Sequence, residues 1–265
     1  MEQTPIVEGE LNESTRPSLL LLATEGGRAI TEFGLSLPFR NLYKPKVYQS
    51  DGHPVLVLPG FMASKSSTTI LRNFIDKLGF SVYDWGLGRN MAKLEYLDAL
   101  TDIVEHLYLK YQKRVSLVGW SLGGVFARQV AKRRPHLVRQ VITLGSPFRG
   151  LTKPNNAIWL YNLVSGGKSV SQIDPDFLMS LEDPANVPTT AVYTKEDGVV
   201  SWKLCIEERE TQIHQNIRVR GSHFGLGHNP TVLHLIADRL QYSQDNWSRF
   251  TPKNQLRKRL FYPSG

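Results

Sequence analysis

Residues 114–128 read RVSLVGWSLGGVFAR, and this stretch decides the fold of the chain. The apolar run at residues 115–118 is typical of a buried parallel strand, and from Leu122 onward the apolar residues recur at helical spacing. A G-x-S-x-G pattern centred on Ser121 lies between the predicted strand and the predicted helix. At so sharp a turn, larger residues in place of the two glycines would collide with the neighbouring elements. The pattern therefore predicts a serine nucleophile raised above a strand-to-helix turn.

Apolar runs and helical periodicity alternate on both sides of this turn. The run at residues 54–61 is a continuous apolar strand ending in a glycine turn, which indicates burial on both faces of a parallel sheet. Alternation of this kind predicts an α/β fold with a mostly parallel central sheet and helices on both faces. The predicted strands are 54–61, 80–83, 115–118, 138–144, 189–194 and 216–219, and the predicted helices are 19–33, 64–78, 94–110, 122–134 and 229–240.

The domain organisation follows from length and from one break in the alternation. A chain of 265 residues fits a single large α/β domain. Residues 148–187 contain no clear strand and are too many for a plain connection, so they predict an inserted cap or lid segment. Its apolar cluster at 159–164 faces either the core or a substrate. The remaining boundaries predict a flexible arm at 1–18, a folded domain at 19–245 and a basic tail at 246–265.

The predicted N-terminal helix has an ambiguous role. The apolar positions of residues 19–33 suit an amphipathic helix that covers one face of the sheet, although Gly26 and Gly27 should weaken or break it. The alternative is a helix that binds at a lipid interface, which the charged residues Glu25 and Glu32 disfavour.

Charge and cysteine content exclude several classes of function. The net charge is +8, but no nucleic-acid recognition motif accompanies it, so we expect no nucleic-acid partner. Weak association with an anionic membrane surface stays open. The single cysteine, Cys205, rules out an intramolecular disulfide and a thiolate metal site, and its acidic neighbours favour an inert thiol.

The N-terminal sequence does not resemble a secretion signal. The apolar run at 19–23 is shorter than a signal-peptide core, and four glutamates and one arginine precede it. No window approaches the roughly 20 apolar residues of a membrane helix. We therefore expect a cytoplasmic protein, whose oligomeric state the sequence does not specify.

A serine nucleophile requires a carboxylate partner at the same edge of the sheet. A neutral imidazole must accept the serine proton, and a carboxylate must orient that imidazole. Asp197 follows the predicted strand 189–194 and precedes a glycine that can turn the chain, so it is the predicted acid. Glu196 is the alternative.

The imidazole should also follow a strand end. His223 comes soon after the predicted strand 216–219, so the sheet fixes its position, and we predict that it is the general base. His228 is the alternative, although it lies next to the start of the last helix and should bond to loop backbone.

Two backbone amides should stabilise the oxyanion that forms during such a reaction. The amide of Leu122 is supplied by the strand-to-helix turn itself. The second should come from the glycine turn after the first buried strand, where Phe61 is the predicted donor and Met62 the next candidate.

Four motifs in this order resemble the α/β-hydrolase superfamily, nearest its lipase and esterase branch. They are PGF at 59–61, GWSLGG at 119–124, DGVV at 197–200 and SHFGLG at 222–227. The resemblance spans roughly residues 54–241 and implies the order Ser, Asp, His of that fold. Two positions depart from lipases, which usually have histidine in place of Pro59 and histidine or tyrosine in place of Trp120. Hydrolases of small esters, thioesters and carbon–carbon bonds also show the second departure.

Together, the residues and the resemblance predict a serine hydrolase of carboxylic esters, acting on a small-molecule or lipid ester. The catalytic triad is Ser121, Asp197 and His223, and neither a cofactor nor a metal is required. The alternatives are a thioesterase or acyltransferase that uses the same triad, and a non-catalytic scaffold of hydrolase-like fold.

Overall fold

A computed structural model describes residues 17–42, 50–149, 180–243, 245–252 and 260–263. In these ranges the strands are β1 (Pro54–Leu58), β2 (Ser81–Asp84), β3 (Val115–Trp120), β4 (Val138–Leu144), β5 (Thr189–Tyr193) and β6 (His214–Arg218). The helices are α1 (Leu19–Leu42), α2 (Thr69–Lys77), α3 (Tyr96–Tyr111), α4 (Leu122–Arg133) and α5 (Pro230–Leu240). The strands form a parallel sheet in the order β2-β1-β3-β4-β5-β6. The predicted α/β fold is confirmed.

The sheet is buried on both faces by helices. Along β1, Val55 and Val57 join one core layer, whereas Leu56 and Leu58 join the other. Helices α2 and α5 cover the first face, and α3 and α4 cover the second. Because side chains alternate across a strand, an uninterrupted apolar run is what a strand buried on both sides requires.

The last helix begins as its sequence predicts. Asn229 precedes α5, and its side-chain oxygen accepts a hydrogen bond from the Thr231 amide at 2.9 Å. Pro230 occupies the first helical position, where its missing N–H costs nothing. This cap fixes the end of the loop that carries His223.

Helix α1 differs from its prediction in length and in orientation. It continues through Gly26 and Gly27 without a break and ends at Leu42. Its apolar side chains Leu20 and Ile30 are 72% and 75% exposed, whereas Glu25 is buried at 1%. The expectation that an apolar side of this helix covers the sheet is therefore wrong, because the helix turns carboxylates inward to accept backbone amides of two loops.

Gly26 offers a test of the unbroken helix. A Cβ added at Gly26 would meet nothing within 4 Å, and the residue is exposed in a helix interior. We expect Gly26→Ala to raise the free energy of unfolding by about 0.5–1 kcal/mol, because alanine loses less backbone entropy than glycine. Urea unfolding of the full chain measures this. The matched control is Gly198→Ala, whose Cβ would lie 2.4 Å from the Leu21 carbonyl carbon and should destabilise. An unchanged or lowered stability for Gly26→Ala would contradict the continuous helix.

Most of the predicted arm and most of the predicted insertion lie outside the described residues. The described part of the chain after residue 245 packs on the core, which the sequence did not indicate. Gln215 of β6 exchanges two hydrogen bonds with the main chain of Phe250, at 3.0 and 2.7 Å. The Phe250 ring in turn contacts Tyr262 with centroids 4.8 Å apart. Within the described ranges, no helix combines the length and the apolar character needed to cross a membrane.

Candidate active site

Ser121 lies on the sharp turn between β3 and α4. Its backbone adopts φ 52° and ψ −127°, a strained conformation for a residue with a side chain. A Cβ at Gly123 would lie 2.4 Å from the Leu58 carbonyl oxygen, and one at Gly119 would lie 2.3 Å from the Gly124 Cα. The predicted reason for both glycines is confirmed, since any side chain there would collide with backbone.

Asp197 and His223 form a buried pair at the carboxyl ends of β5 and β6. The Nδ1 atom of His223 is 2.6 Å from Oδ2 of Asp197, and the two residues are 3% and 5% exposed. The other carboxylate oxygen, Oδ1, accepts hydrogen bonds from the amides of Val199 and Val200 at 2.8 and 2.7 Å. The backbone therefore fixes the carboxylate, and the carboxylate orients the imidazole.

The environment raises the pKa of His223. Burial lowers the pKa by disfavouring the charged imidazolium, but the charge and hydrogen bond of Asp197, together with the charge of Glu25, outweigh it. The net result is a pKa above the ordinary 6.5. Above that pKa the neutral ring donates its Nδ1–H to Asp197 and leaves Nε2 as a proton acceptor.

The loop that carries His223 is attached to the serine turn. Nε1 of Trp120, the residue before Ser121, donates a hydrogen bond to the His223 carbonyl oxygen at 3.1 Å. A Cβ at Gly227 would lie 2.8 Å from the Trp120 ring, so this loop also packs on the indole. Gly145, at the end of the neighbouring strand β4, packs so closely that its Cβ would lie 3.1 Å from Nδ1 of His223. These contacts hold the imidazole at the edge of the sheet where Ser121 stands.

The alternative acid and base are engaged elsewhere. Nε2 of His228 is 3.0 Å from the Ala29 carbonyl oxygen in α1. The Glu196 carboxylate accepts a hydrogen bond from the Gly221 amide at 2.8 Å. Of the candidates left open by the sequence, the structure brings together Asp197 and His223.

The glycine turn after β1 lies directly against the serine. A Cβ at Gly60 would be 3.1 Å from the Ser121 Cβ and 3.8 Å from its Oγ. The Met62 amide donates to the Asn90 carbonyl oxygen at 2.8 Å, which removes it as a candidate donor. Among the described backbone–backbone hydrogen bonds outside regular helices and strands, none is donated by the amides of Phe61 or Leu122. These two amides therefore stay the candidate donors to an oxygen bound beside Ser121.

Asn90 braces this turn, which the sequence did not indicate. Its side chain is fully buried, and Nδ2 donates a hydrogen bond to the Pro59 carbonyl oxygen at 2.9 Å. The main-chain carbonyl oxygen of Asn90 accepts a hydrogen bond from the Met62 amide, and the main-chain amide of Asn90 donates one to the Ala63 carbonyl oxygen at 2.8 Å. The loop containing Asn90 therefore fixes the backbone from which the Phe61 amide projects.

Cys205 lies near the acid but is not equipped for chemistry. Burial, together with the charge of Asp197, raises the pKa of this thiol well above its usual range. The thiol packs with Tyr193 and Val200 in a small apolar cluster. It is therefore held in the protonated form.

Two carboxylates of α1 also reach the site, and sequence analysis did not assign them there. Glu25 accepts a hydrogen bond from the His223 amide at 3.2 Å, and Glu32 accepts one from the Ser222 amide at 2.7 Å. Their seven-residue spacing predicts that they lie on the same side of a helix. No local sequence feature indicated that this side of the helix faces the rest of the protein.

Comparison with solved structures identifies the fold of this protein. The chain superimposes on Aspergillus fumigatus lipase B with a TM-score of 0.55 and 18% identity, covering 72% of this chain and 53% of that chain. Mature Bacillus licheniformis lipase BlEst2 gives a TM-score of 0.52 and 18% identity, covering 74% and 94%. The chain therefore shares the fold of these lipases, the α/β-hydrolase fold that its sequence resemblance implied.

Residues 54–195, more than half of the chain, match the model of the family described as palmitoyl protein thioesterase. The chain belongs to the palmitoyl protein thioesterase family. The match includes Ser121 and ends two residues before Asp197, so the acid and the base lie beyond it.

Shorter matches connect the chain to two curated proteins. It is 36% identical over 77 residues to phosphatidylcholine-sterol acyltransferase of Rattus norvegicus, covering 27% of this chain and 17% of that protein. It is 38% identical over 69 residues to pimeloyl-[acyl-carrier protein] methyl ester esterase of Aromatoleum aromaticum, covering 25% and 26%. The chain thus spans about a quarter or less of the length of these relatives.

Proposed function

We propose that this protein is a serine hydrolase that cleaves carboxylic esters through an acyl-enzyme on Ser121. One observation carries the proposal: a buried Asp197–His223 pair stands at the sheet edge that holds a serine in a strained turn. A binding scaffold has no need of a serine, an imidazole and a buried carboxylate together. The geometry therefore favours catalysis over the scaffold alternative.

Each group has a role in this reaction. Nε2 of His223 accepts the Ser121 proton while Oγ bonds to the ester carbonyl carbon, and Asp197 stabilises the imidazolium. The carbonyl oxygen becomes an oxyanion that accepts hydrogen bonds from the Phe61 and Leu122 amides, each worth about 3–4 kcal/mol in the transition state. The imidazolium then protonates the departing alcohol. Water, deprotonated by His223, releases the acid.

Exposed apolar side chains beside the site fit the acyl part of a substrate. Met62 and Met91 project from the two loops that meet at the oxyanion turn and are 54% and 42% exposed. Phe224 follows the base and is 48% exposed. Removing such side chains from water stabilises a bound acyl chain. We propose a small-molecule or lipid ester as the substrate.

Thioester cleavage is the second candidate. The family match favours it, because the family is named for an activity on acyl thioesters. The same acyl-enzyme would form, and only the leaving group would differ. The matched acyltransferase raises a third route, in which an alcohol instead of water resolves the acyl-enzyme.

A substrate panel tests the proposal. We expect hydrolysis of p-nitrophenyl esters with a preference for longer acyl chains, because the apolar rim contacts them. A thioester with the same acyl chain compares the two leaving groups directly, and faster kcat/KM on it would make the second candidate the main activity. A fluorophosphonate should label the protein at Ser121. If the protein shows no turnover of these substrates and no labelling of Ser121, the non-catalytic scaffold would be favoured.

The pH dependence of the same assay reports on the base. Because His223 must be neutral to accept a proton, kcat/KM should rise with pH through an apparent pKa above 6.5. A rate that is independent of pH between about 5 and 8 would contradict the role of this imidazole.

A further inference from the structure

We infer that Glu25 of α1 is a positioning residue that holds the acid and the base of the site together. The inference rests on the proposed function for its catalytic meaning. Its geometric basis is independent of that function, since a buried side chain of the N-terminal helix binds the backbone of both loops at once.

The contacts of Glu25 join two loops that are separate in sequence. Oε1 accepts hydrogen bonds from the amide of Gly198, next to the acid, at 2.7 Å and from the amide of His223 at 3.2 Å. Oε2 accepts from the Phe224 amide at 3.3 Å. Such bonds between a carboxylate and backbone amides are stronger than neutral ones. Glu25 therefore fixes the main chain on both sides of the Asp197–His223 hydrogen bond.

The backbone at Gly198 shows how closely the helix must approach. A Cβ there would lie 2.4 Å from the carbonyl carbon of Leu21, one turn before Glu25 in α1. Glycine lets the helix backbone rest on the acid loop, and the approach leaves Glu25 only 1% exposed. The glycine of the Asp197-Gly198 pair therefore allows the close approach of α1 as well as the turn after β5.

The charged groups near this carboxylate lie on its own helix and on the loops after β5 and β6. On α1, Arg28 pairs with Glu25 at 2.9 Å and donates to the Glu196 carbonyl oxygen at 2.7 Å. The other titratable groups on α1 and on the loops that contact it are Glu32 of α1, Glu196 and Asp197 after β5, and Arg220, His223 and His228 after β6. Arg28 is partly exposed, so it offsets the buried negative charge only in part.

The charge of Glu25 also acts on the base. Burial lowers the pKa of His223, and Asp197 and Glu25 raise it. A residue that merely stabilised the fold would leave that pKa unchanged. Removing the charge of Glu25 while keeping an acceptor oxygen should lower it.

The test compares Glu25→Gln and Glu25→Ala with the wild type in the full chain. NMR titration of the His223 imidazole should give a lower pKa in both variants, and the acidic limb of kcat/KM should move to lower pH with it. The alanine variant also loses the acceptor oxygens, so we expect kcat to fall about 10- to 100-fold with KM within about twofold, as for a misplaced catalytic group.

Glu32→Gln is the matched control. Glu32 lies on the same side of α1 and accepts a hydrogen bond from the Ser222 amide. Among the described contacts it makes no hydrogen bond to His223 or Phe224. The imidazole pKa should stay at the wild-type value in this variant. Equal shifts in Glu25→Gln and Glu32→Gln, or no shift in either, would overturn the inference.

Glu25→Asp provides a variant that keeps the buried charge. It should retain most of the raised pKa of His223 but lose part of kcat, because the shorter side chain cannot reach both loops. If Glu25→Gln does not fold, a wild-type kcat in Glu25→Asp would overturn the positioning role. The NMR titration needs no turnover, so a wild type that hydrolyses no substrate would contradict the proposed function alone.

Discussion

Ser121→Ala should abolish ester hydrolysis, with kcat falling by about 10⁴-fold or more. The variant lacks the Oγ atom that we propose as the nucleophile and so should form no acyl-enzyme, while the Asp197–His223 pair and the proposed oxyanion amides remain. Residual turnover over water should come from those groups and from substrate binding. The backbone of the turn should be unaffected, because the residue still carries only a small side chain.

Turnover of p-nitrophenyl esters and mass spectrometry of fluorophosphonate adducts measure this effect. Ser67→Ala is the control, since Ser67 is an exposed serine whose hydroxyl bonds to the Ser64 carbonyl oxygen at 2.8 Å. We expect wild-type activity in the control and a wild-type melting temperature in both variants. Near-normal hydrolysis by Ser121→Ala, or an adduct on a different serine, would contradict the proposed nucleophile.

Glu207→Ala should cost about 3–5 kcal/mol of stability, the largest structural effect that we expect. Glu207 pairs with Arg128, a fully buried residue of α4. The Arg128 guanidinium also lies 3.8 Å from the centroid of the Phe148 ring and donates to the Asp183 carbonyl oxygen at 3.0 Å. Without Glu207, the partners that the described residues leave to this buried cation would be the Asp183 carbonyl oxygen, the Phe148 ring and the charge of Asp183.

An exposed ion pair on the same helix supplies the control. Arg133, five residues later in α4, pairs with Asp98 at 2.7 Å, and their side chains are 41% and 82% exposed. Asp98→Ala should change the free energy of unfolding by no more than about 1 kcal/mol, because solvent screens this pair. Denaturant unfolding of both variants gives the comparison. If Glu207→Ala and Asp98→Ala lost similar amounts of unfolding free energy, the burial of Arg128 would not be the cause of the expected loss in Glu207→Ala.

Much of the fold follows from local sequence properties. The apolar run of β1 and the G-x-S-x-G turn specify a buried strand and the serine turn, because periodicity and backbone strain act within a few residues. Looking for acids and bases directly after strands gave Asp197 and His223 as candidates, and the structure pairs these two residues, since parallel strands end at a common edge. The cap of α5 was equally local.

Other features depend on groups that only tertiary contact can satisfy. Sequence periodicity predicted that α1 buries its apolar residues, but the loops after β5 and β6 present backbone amides that need acceptors. The sequence did not indicate the role of Asn90 for the same reason, because its hydrogen-bond partners lie in a loop about 30 residues away.

By itself, then, the sequence determined the strand order along the chain, the serine turn and a short list of partners, because these depend on periodicity and local backbone geometry. Only the tertiary structure shows that His223 pairs with Asp197, that the Met62 amide bonds to the Asn90 main chain and that Glu25 is buried. Each of those outcomes was set by which polar groups remain unpaired once the sheet has formed, and a buried polar group must find a partner.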